Sequence, residues 1–325
     1  MSRRCRNCRT GATRARRTML TASDGPRELA VLGSPIAHSK SPELHQAAYR
    51  ALGLPWDYAR AEITPETLAA YVASRPDVWR GLSLTMPLKQ SVLPLVASLD
   101  ETAALTGAAN TILFDTDAVG RLVLRGFNTD VPGIVRALAA AGTERIRSAL
   151  IWGGGATAAS ALVAAAELGA ADVTVQVREP ARADHLIPLG NSVGLRVTVA
   201  RFGDEVTARP DLVVSTLPGH VGADDLARRV VQGRAAARAT ADGILLLDVA
   251  YDPWPTAIVT RWAALAAASG RRANVLSGLA MLVHQALLQV RIFVAGDPER
   301  ELPAEQTVLS AMLDAVGLDA AGRPV

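Results

Sequence analysis

The run Gly153-Gly154-Gly155 sits where the chain changes its hydrophobic period, and it constrains the fold more than any other feature. SALIW (148–152) before it is a short apolar stretch of the kind that forms a buried strand, and ATAASALVAAAELG after it is an alanine-rich helical segment. With Ala158 the glycines give G-x-G-x-x-A. Glycine there permits a tight turn and lets backbone N–H groups approach a pyrophosphate at the positive end of the helix. The strand DVTVQV (172–177) follows, completing the strand–turn–helix–strand context of a dinucleotide site. RVTVA (196–200), DLVVST (211–216) and GILLLDV (243–249) continue the alternation, which predicts a doubly wound parallel sheet.

The residues that end the second strand of such a unit select the dinucleotide. An acid hydrogen-bonds the ribose 2′-hydroxyl of NAD, whereas arginines neutralise the 2′-phosphate of NADP. Arg178, Glu179 and Arg182 fall together here. Two guanidiniums around one acid favour NADP, and Glu179 keeps NAD open.

A separate alternation precedes the glycine turn. ELAVLG (28–33) reads as a strand, followed by the polar loop SPIAHSKSP and an apolar-periodic helix to Leu52, with Ser41 as N-cap and Pro42 at the first helical position. WDYARAEI (56–63) and GLSLTM (81–86) read as strands, PETLAAYVAS and LKQSVLPLVASL as helices. GAANTILF and GRLVLRGFN flank an Asp-Thr-Asp-Ala-Val-Gly turn and form a hairpin, and a helix from Val131 to Ala141 leads to the second alternation. Beyond Asn274 two helices, Gly278 to Val294 and Ala304 to Val316, can pack back on the first lobe and make it discontinuous.

The expected architecture is therefore α/β: an N-terminal α/β substrate domain with a mostly parallel sheet, a Rossmann NAD(P) domain, and a cleft between them. The expected division is a basic, disordered tail over 1–27, a substrate-binding and catalytic domain from 28–129 and 274–325, and a dinucleotide-binding domain from 130–273. A chain of 325 residues has length enough for two such cores.

Charge narrows the partners. The formal net charge is +3, but seven arginines lie among the first seventeen residues with no acid, and without them the balance is −4. The body is mildly acidic, so no nucleic-acid partner is expected. No uninterrupted apolar run approaches the roughly 20 residues of a membrane helix, so a soluble, cytoplasmic protein without a membrane partner is expected. Cys5 and Cys8 are the only cysteines and leave the body without a disulfide framework. The five histidines show no metal-ligand spacing, and no metal is expected.

Of 34 basic residues only Lys40 and Lys89 are lysine. A position that keeps lysine in so arginine-rich a chain is a candidate for chemistry that guanidinium cannot perform, since lysine can give up its proton near neutral pH when desolvated. Lys89 falls in a loop after a strand, as do Ser39, Ser41, Thr85 and Asn110, with Asn128 and Asp130 at the start of the next helix. Open α/β sheets bind ligands at the carboxyl ends of their strands. Hydroxyls, an amide, an amine and a carboxylate suit a small polyhydroxy acid; Ser41 and Asp130 also read as helix caps. Reduction of a ring ketone leaves an alkoxide that needs a proton, which Lys89 can supply while Asp130 orients it.

The strings SPIAHSKSP, LTMPLK, GAANT and FNTD, with GGGA at the glycine turn and GLAMLVHQA near the end, resemble shikimate dehydrogenases. The resemblance implies reversible NADP-dependent reduction of 3-dehydroshikimate to shikimate, in aromatic amino-acid and chorismate biosynthesis. It implies that Ser39 and Ser41 bind the substrate carboxylate, that Thr85, Asn110, Asp130 and Gln285 hold ring hydroxyls, and that Tyr251 is a further substrate-side residue. Lys89 with Asp130 would be the catalytic pair. Gly153, Gly154, Gly155, Ala156, Thr157, Thr216, Gly278 and Met281 would contact the cofactor, with Arg178 and Arg182 on the 2′-phosphate. The chain departs from the family pattern at Ser83, usually Asn; at Val177-Arg178-Glu179, usually Asn-Arg-Thr; and at Val214-Ser215-Thr216, usually Asn-Ala-Thr. An NAD-dependent quinate, shikimate or aminoshikimate-type paralogue stays open, as does a ligand-sensing protein of the same fold. The expected assembly is a monomer or homodimer.

Overall fold

The computed structural model describes residues 19–75, 77–204, 209–219 and 243–325, organised around two six-stranded sheets. In the first, β1 (Arg27–Gly33) pairs in parallel with β2 (Trp56–Glu62) and β3 (Trp79–Leu84). β5 (Thr111–Thr116) runs antiparallel to β3 and to β6 (Leu122–Phe127), forming the expected hairpin, and the short β4 (Ser98–Leu99) edges the sheet beside β6. The period of two along β1 sends Leu29 and Val31 into one apolar layer and Ala30 and Leu32 into the opposite one. Helix α1 (Ser41–Ala51) covers the first face, and α2 (Pro65–Ala73) and α3 (Leu88–Ser91) cover the second.

The second sheet is wholly parallel. Its order is β12 (Asn274–Ser277), β11 (Leu245–Asp248), β10 (Leu212–Ser215), β7 (Ser148–Trp152), β8 (Asp172–Val177), β9 (Arg196–Arg201). The strand order reverses between β7 and β10, which is where a doubly wound sheet opens a crevice for its ligand. Helix α4 (Glu101–Thr106) follows β4 in the first lobe; both faces of the second sheet are buried, one under α5 (Asp130–Ala140), α6 (Ala156–Glu167) and α7 (Leu186–Ser192), the other under α8 (Ala257–Ala268).

Helix α9 (Gly278–Ala295) leaves β12 and crosses to the first sheet, where Val283, Leu287, Val290 and Phe293 fill the layer that contains Leu29 and Val31. Its length and hydropathy match those of a membrane span, and 89% of it is buried inside the fold. Helix α10 (Glu305–Ala315) packs beside α1 and is tied to α9 by the ion pair between Arg291 and Glu305.

Four local expectations differ from the structure. The segment expected as one helix from Leu88 to Leu99 is the single turn of α3, a 3₁₀ turn at Leu93–Leu95 and then β4, because Pro94 lacks the N–H that a continuing α-helix would donate to the Gln90 carbonyl. Ser41 is the first residue of α1 rather than its cap; Lys40 occupies the cap position, and the Ser39 hydroxyl accepts the Ser41 N–H at 3.3 Å. Asn274–Ser277, grouped with the first lobe in the expected division, pairs with β11 of the second sheet, since its in-register backbone completes that ladder. The expected tail ran to residue 27, yet Met19 and Leu20 pack on the first core and the Leu20 N–H donates to Val294 O at 3.0 Å. The arginine-rich segment itself, with Cys5 and Cys8, lies outside the described residues.

Candidate active site

Lys89 is the second residue of α3 and Asp130 the first residue of α5. The two helices follow β3 and β6 of the first sheet and bring Lys89 Nζ to 2.5 Å from Asp130 Oδ2, with side chains 13% and 4% exposed. The other carboxylate oxygen, Oδ1, accepts the Asn110 amide at 2.8 Å. Asn110 is itself fixed, because its Oδ1 accepts the Thr129 N–H at 2.9 Å and the Thr111 hydroxyl at 2.9 Å. Asp130 therefore caps nothing: its carboxylate is spent on the lysine and the amide, and its own N–H donates to Asn128 Oδ1. Gln285, two turns into α9, accepts from Asn110 Nδ2 at 3.2 Å and donates to Leu282 O, which holds its amide toward the same centre.

An inner cavity of about 330 Å³ opens over this group. Ser39, Ser41 and Tyr251 line one end, Thr85, Asn110 and Gln285 the other, and Lys89 and Asp130 lie between. Burial pushes the Tyr251 phenol up, and hydrogen bonds from its surroundings at Lys40 and Ser39 partly offset this. The serine loop is braced from outside by Arg60, whose Nε donates to Ser39 O at 2.8 Å while Glu43 holds the guanidinium through both carboxylate oxygens.

Beneath the cavity lies a polar layer that the sequence did not announce. Gln289, one helical turn after Gln285, donates to Thr111 Oγ1 at 2.9 Å and to Asn110 O at 3.2 Å, and accepts from Ser83 at 2.8 Å. Tyr58 donates to Ser83 at 2.7 Å, and the His45 ring meets Gln289 at 3.1 Å while stacking on Tyr58 with centroids 4.0 Å apart. Ser83, the departure noted in LTMPLK's strand, thus has a partner suited to it. The i, i+4 spacing of Gln285 and Gln289 was the available signal.

A larger groove of about 1000 Å³ joins the inner cavity, and Thr85, Lys89 and Thr157 line both. Gly153, Gly154, Gly155, Ala156 and Thr157 form its floor, with Thr216 beside them and Arg178, Glu179 and Arg182 at the far end. Gly153 adopts φ +110°, and a Cβ there would meet Thr216 Oγ1 at 2.2 Å, so only glycine allows the turn. A Cβ at Gly155 would meet no protein atom within 4 Å. Gly155 holds the N-cap of α6 without a side-chain cap, leaving the helix's first N–H groups for an anion. These residues fit a dinucleotide pyrophosphate.

Two residues expected at the cofactor do not line the larger groove. Met281 lines the inner cavity rather than the groove. Gly278 lines neither: its absent side chain lets the backbone of Val249 pass, where a Cβ would sit 1.9 Å from the Val249 carbonyl oxygen. Close packing of the start of α9 against the chain just after β11 requires that glycine. Two residues that the sequence did not mark, His38 and Asp252, line the same cavity from the two lobes, with His38 Nδ1 2.7 Å from Asp252 Oδ2.

The chain is 33% identical over 276 residues to the NADP-dependent shikimate dehydrogenase of Methanothermobacter thermautotrophicus, covering 82% of this chain and 91% of that one. The chain belongs to the shikimate dehydrogenase family. Residues 31–112 match the family model for the shikimate dehydrogenase substrate-binding domain, the stretch that carries Ser39, Ser41, Thr85, Lys89 and Asn110. The crystal structure of Mycobacterium tuberculosis shikimate dehydrogenase superposes with a TM-score of 0.72 at 37% identity, over 89% of this chain and 100% of that one. Thermus thermophilus shikimate 5-dehydrogenase, solved with NADP(H) and shikimate, does so at 0.67 and 30% identity, over 89% and 99%. A shikimate dehydrogenase of this kind is an α/β oxidoreductase with a substrate lobe and a Rossmann lobe, as the two sheets here are arranged.

Proposed function

We propose that this shikimate dehydrogenase homologue catalyses the reversible NADP-dependent reduction of 3-dehydroshikimate to shikimate. The observation that carries the reading is the Lys89–Asp130 pair at the junction of the two cavities, with Lys89 facing both. Ser39, Ser41 and Tyr251 bind the substrate carboxylate, and Thr85, Asn110 and Gln285 hold ring hydroxyls. Gly153 to Thr157 carry the pyrophosphate, and Arg178 and Arg182 the 2′-phosphate. Bound in the groove, the nicotinamide supplies or takes up the hydride. Lys89 Nζ donates a proton to the oxygen that gains negative charge on reduction and takes it back on oxidation, acid–base help worth about 10² to 10⁴ in rate. Asp130 keeps the amine aimed at that oxygen, since its second oxygen is already held by Asn110. Asn128 couples the lobes, donating to Ala108 O on one side and meeting Ser160 of α6 on the other, so that the two halves of the site keep their register.

A cytoplasmic location and action on a small molecule belong to the same reading. The two lobes act as a substrate domain and a dinucleotide domain. A second reading, an NAD-using quinate or shikimate paralogue, is favoured by Glu179 in the groove. Shikimate and quinate assayed in parallel with NADP and NAD, following reduced nicotinamide by absorbance, separate the two. Fastest turnover with shikimate and NADP supports the first; fastest turnover with quinate or NAD overturns it, and no turnover with any pair favours a binding protein.

A further inference from the structure

The cofactor groove contains a third arginine that the sequence motif at Arg178 and Arg182 does not include. β8 and β9 run in parallel with Val177 opposite Arg201, and the Phe202 N–H donates to Val177 O at 2.9 Å. The end of β9 therefore sets Arg201 beside the turn that begins at Arg178, and Arg178, Glu179, Arg182 and Arg201 line the same end of the groove. Glu179 and Arg182 approach only to 3.9 Å, with side chains 64% and 81% exposed, so neither neutralises the other closely. Among the described residues neither Arg178 nor Arg201 makes a side-chain ion pair. The nearby Asp204 carboxylate accepts the backbone N–H of Arg201 at 2.8 Å.

Charge at this end of the groove is the issue. Arg178 and Arg182 against Glu179 leave a single formal positive charge, which matches poorly to a phosphate monoester of nearly two negative charges. Arg201 raises the balance to two positives. A cluster of exposed guanidiniums with one acid among them repels itself until an anion binds, so its cost is recovered only by a ligand that carries the 2′-phosphate.

We propose that Arg201 is a third guanidinium of the adenosine 2′-phosphate site, placed on the neighbouring strand to offset Glu179, and that it decides the preference for NADP over NAD in this chain. The proposal rests on the NADP-dependent reading above and adds a residue to it.

The test is titration calorimetry of the full chain and of Arg201→Ala with 2′,5′-ADP and with 5′-AMP, neither of which requires turnover. The expected result is that wild type binds 2′,5′-ADP the more tightly, and that Arg201→Ala lowers that affinity by about tenfold with 5′-AMP affinity unchanged. Retained 5′-AMP binding also reports an intact groove. A variant that keeps the full wild-type preference for 2′,5′-ADP overturns the role of Arg201 and leaves the NADP reading standing. A wild type that binds both nucleotides equally overturns the NADP reading and this proposal with it.

Discussion

Lys89 and Asp130 are 41 residues apart in sequence and 2.5 Å apart in space, on the first turns of two helices that belong to different parts of the fold. Lys89→Ala is expected to lower turnover by at least about 10²-fold while dinucleotide binding persists. Lys89→Arg should also fail, because guanidinium does not release its proton at working pH. Steady-state rates with shikimate and NADP, beside nucleotide binding, check both; near-normal turnover in either variant would remove Lys89 from proton transfer.

Ser39 offers its hydroxyl to the cavity from a loop that Arg60 braces through the backbone. Ser39→Ala should raise KM for shikimate by about tenfold with kcat nearly unchanged, since the lost bond holds the carboxylate in ground and transition states alike. An unchanged KM would take Ser39 out of carboxylate binding.

The two glycines at the turn should respond differently. Gly153→Ala places a Cβ 2.2 Å from Thr216 Oγ1 at φ +110°, and is expected to cost about 1–3 kcal/mol of stability and to abolish nucleotide binding. Gly155→Ala meets no protein atom within 4 Å, so it should melt like wild type yet bind 5′-AMP and NADP more weakly. Thermal midpoints and calorimetric affinities distinguish them; equal binding by Gly155→Ala and wild type would place the pyrophosphate elsewhere.

Burial holds His45 neutral, its pKa pushed down to about 3 although Gln289 partly offsets the shift. The unfolded chain takes up a proton near pH 6.5 and the native chain does not. Stability is therefore full above that pH and falls as pH drops through the window toward 3, by about 1.4 kcal/mol per pH unit for this residue. His284, pushed down to about 4 by burial and then by Arg136, acts in the same direction. Urea unfolding at about pH 7 and about pH 5 should show a loss of roughly 2 kcal/mol per histidine, smaller in His45→Gln; the same pH dependence in both proteins would refute the assignment.

Much of this molecule is legible from its local sequence. The strand–glycine–helix passage at 148–167 specifies its own geometry, since a positive φ at Gly153 and a free helix N-terminus are local backbone properties. So are the alternating layers along β1 and the break at Pro94. The scarcity of lysine marks Lys40 and Lys89 alike, and the motif strings carry the family resemblance.

Tertiary structure decided what depends on contacts between distant segments. Gln285 and Gln289 become part of the site only because α9 returns across the first sheet, and the Ser83–Gln289–His45 layer joins residues up to 244 positions apart. Gly278 is a packing residue for the same reason, its environment being set by Val249 rather than by its neighbours in sequence. Arg201 enters the cofactor groove through the register of β9 on β8. Sequence periodicity states which way a side chain faces; which partner it meets is settled by long-range packing and hydrogen bonding, whose cost in chain entropy is met only when the whole domain folds.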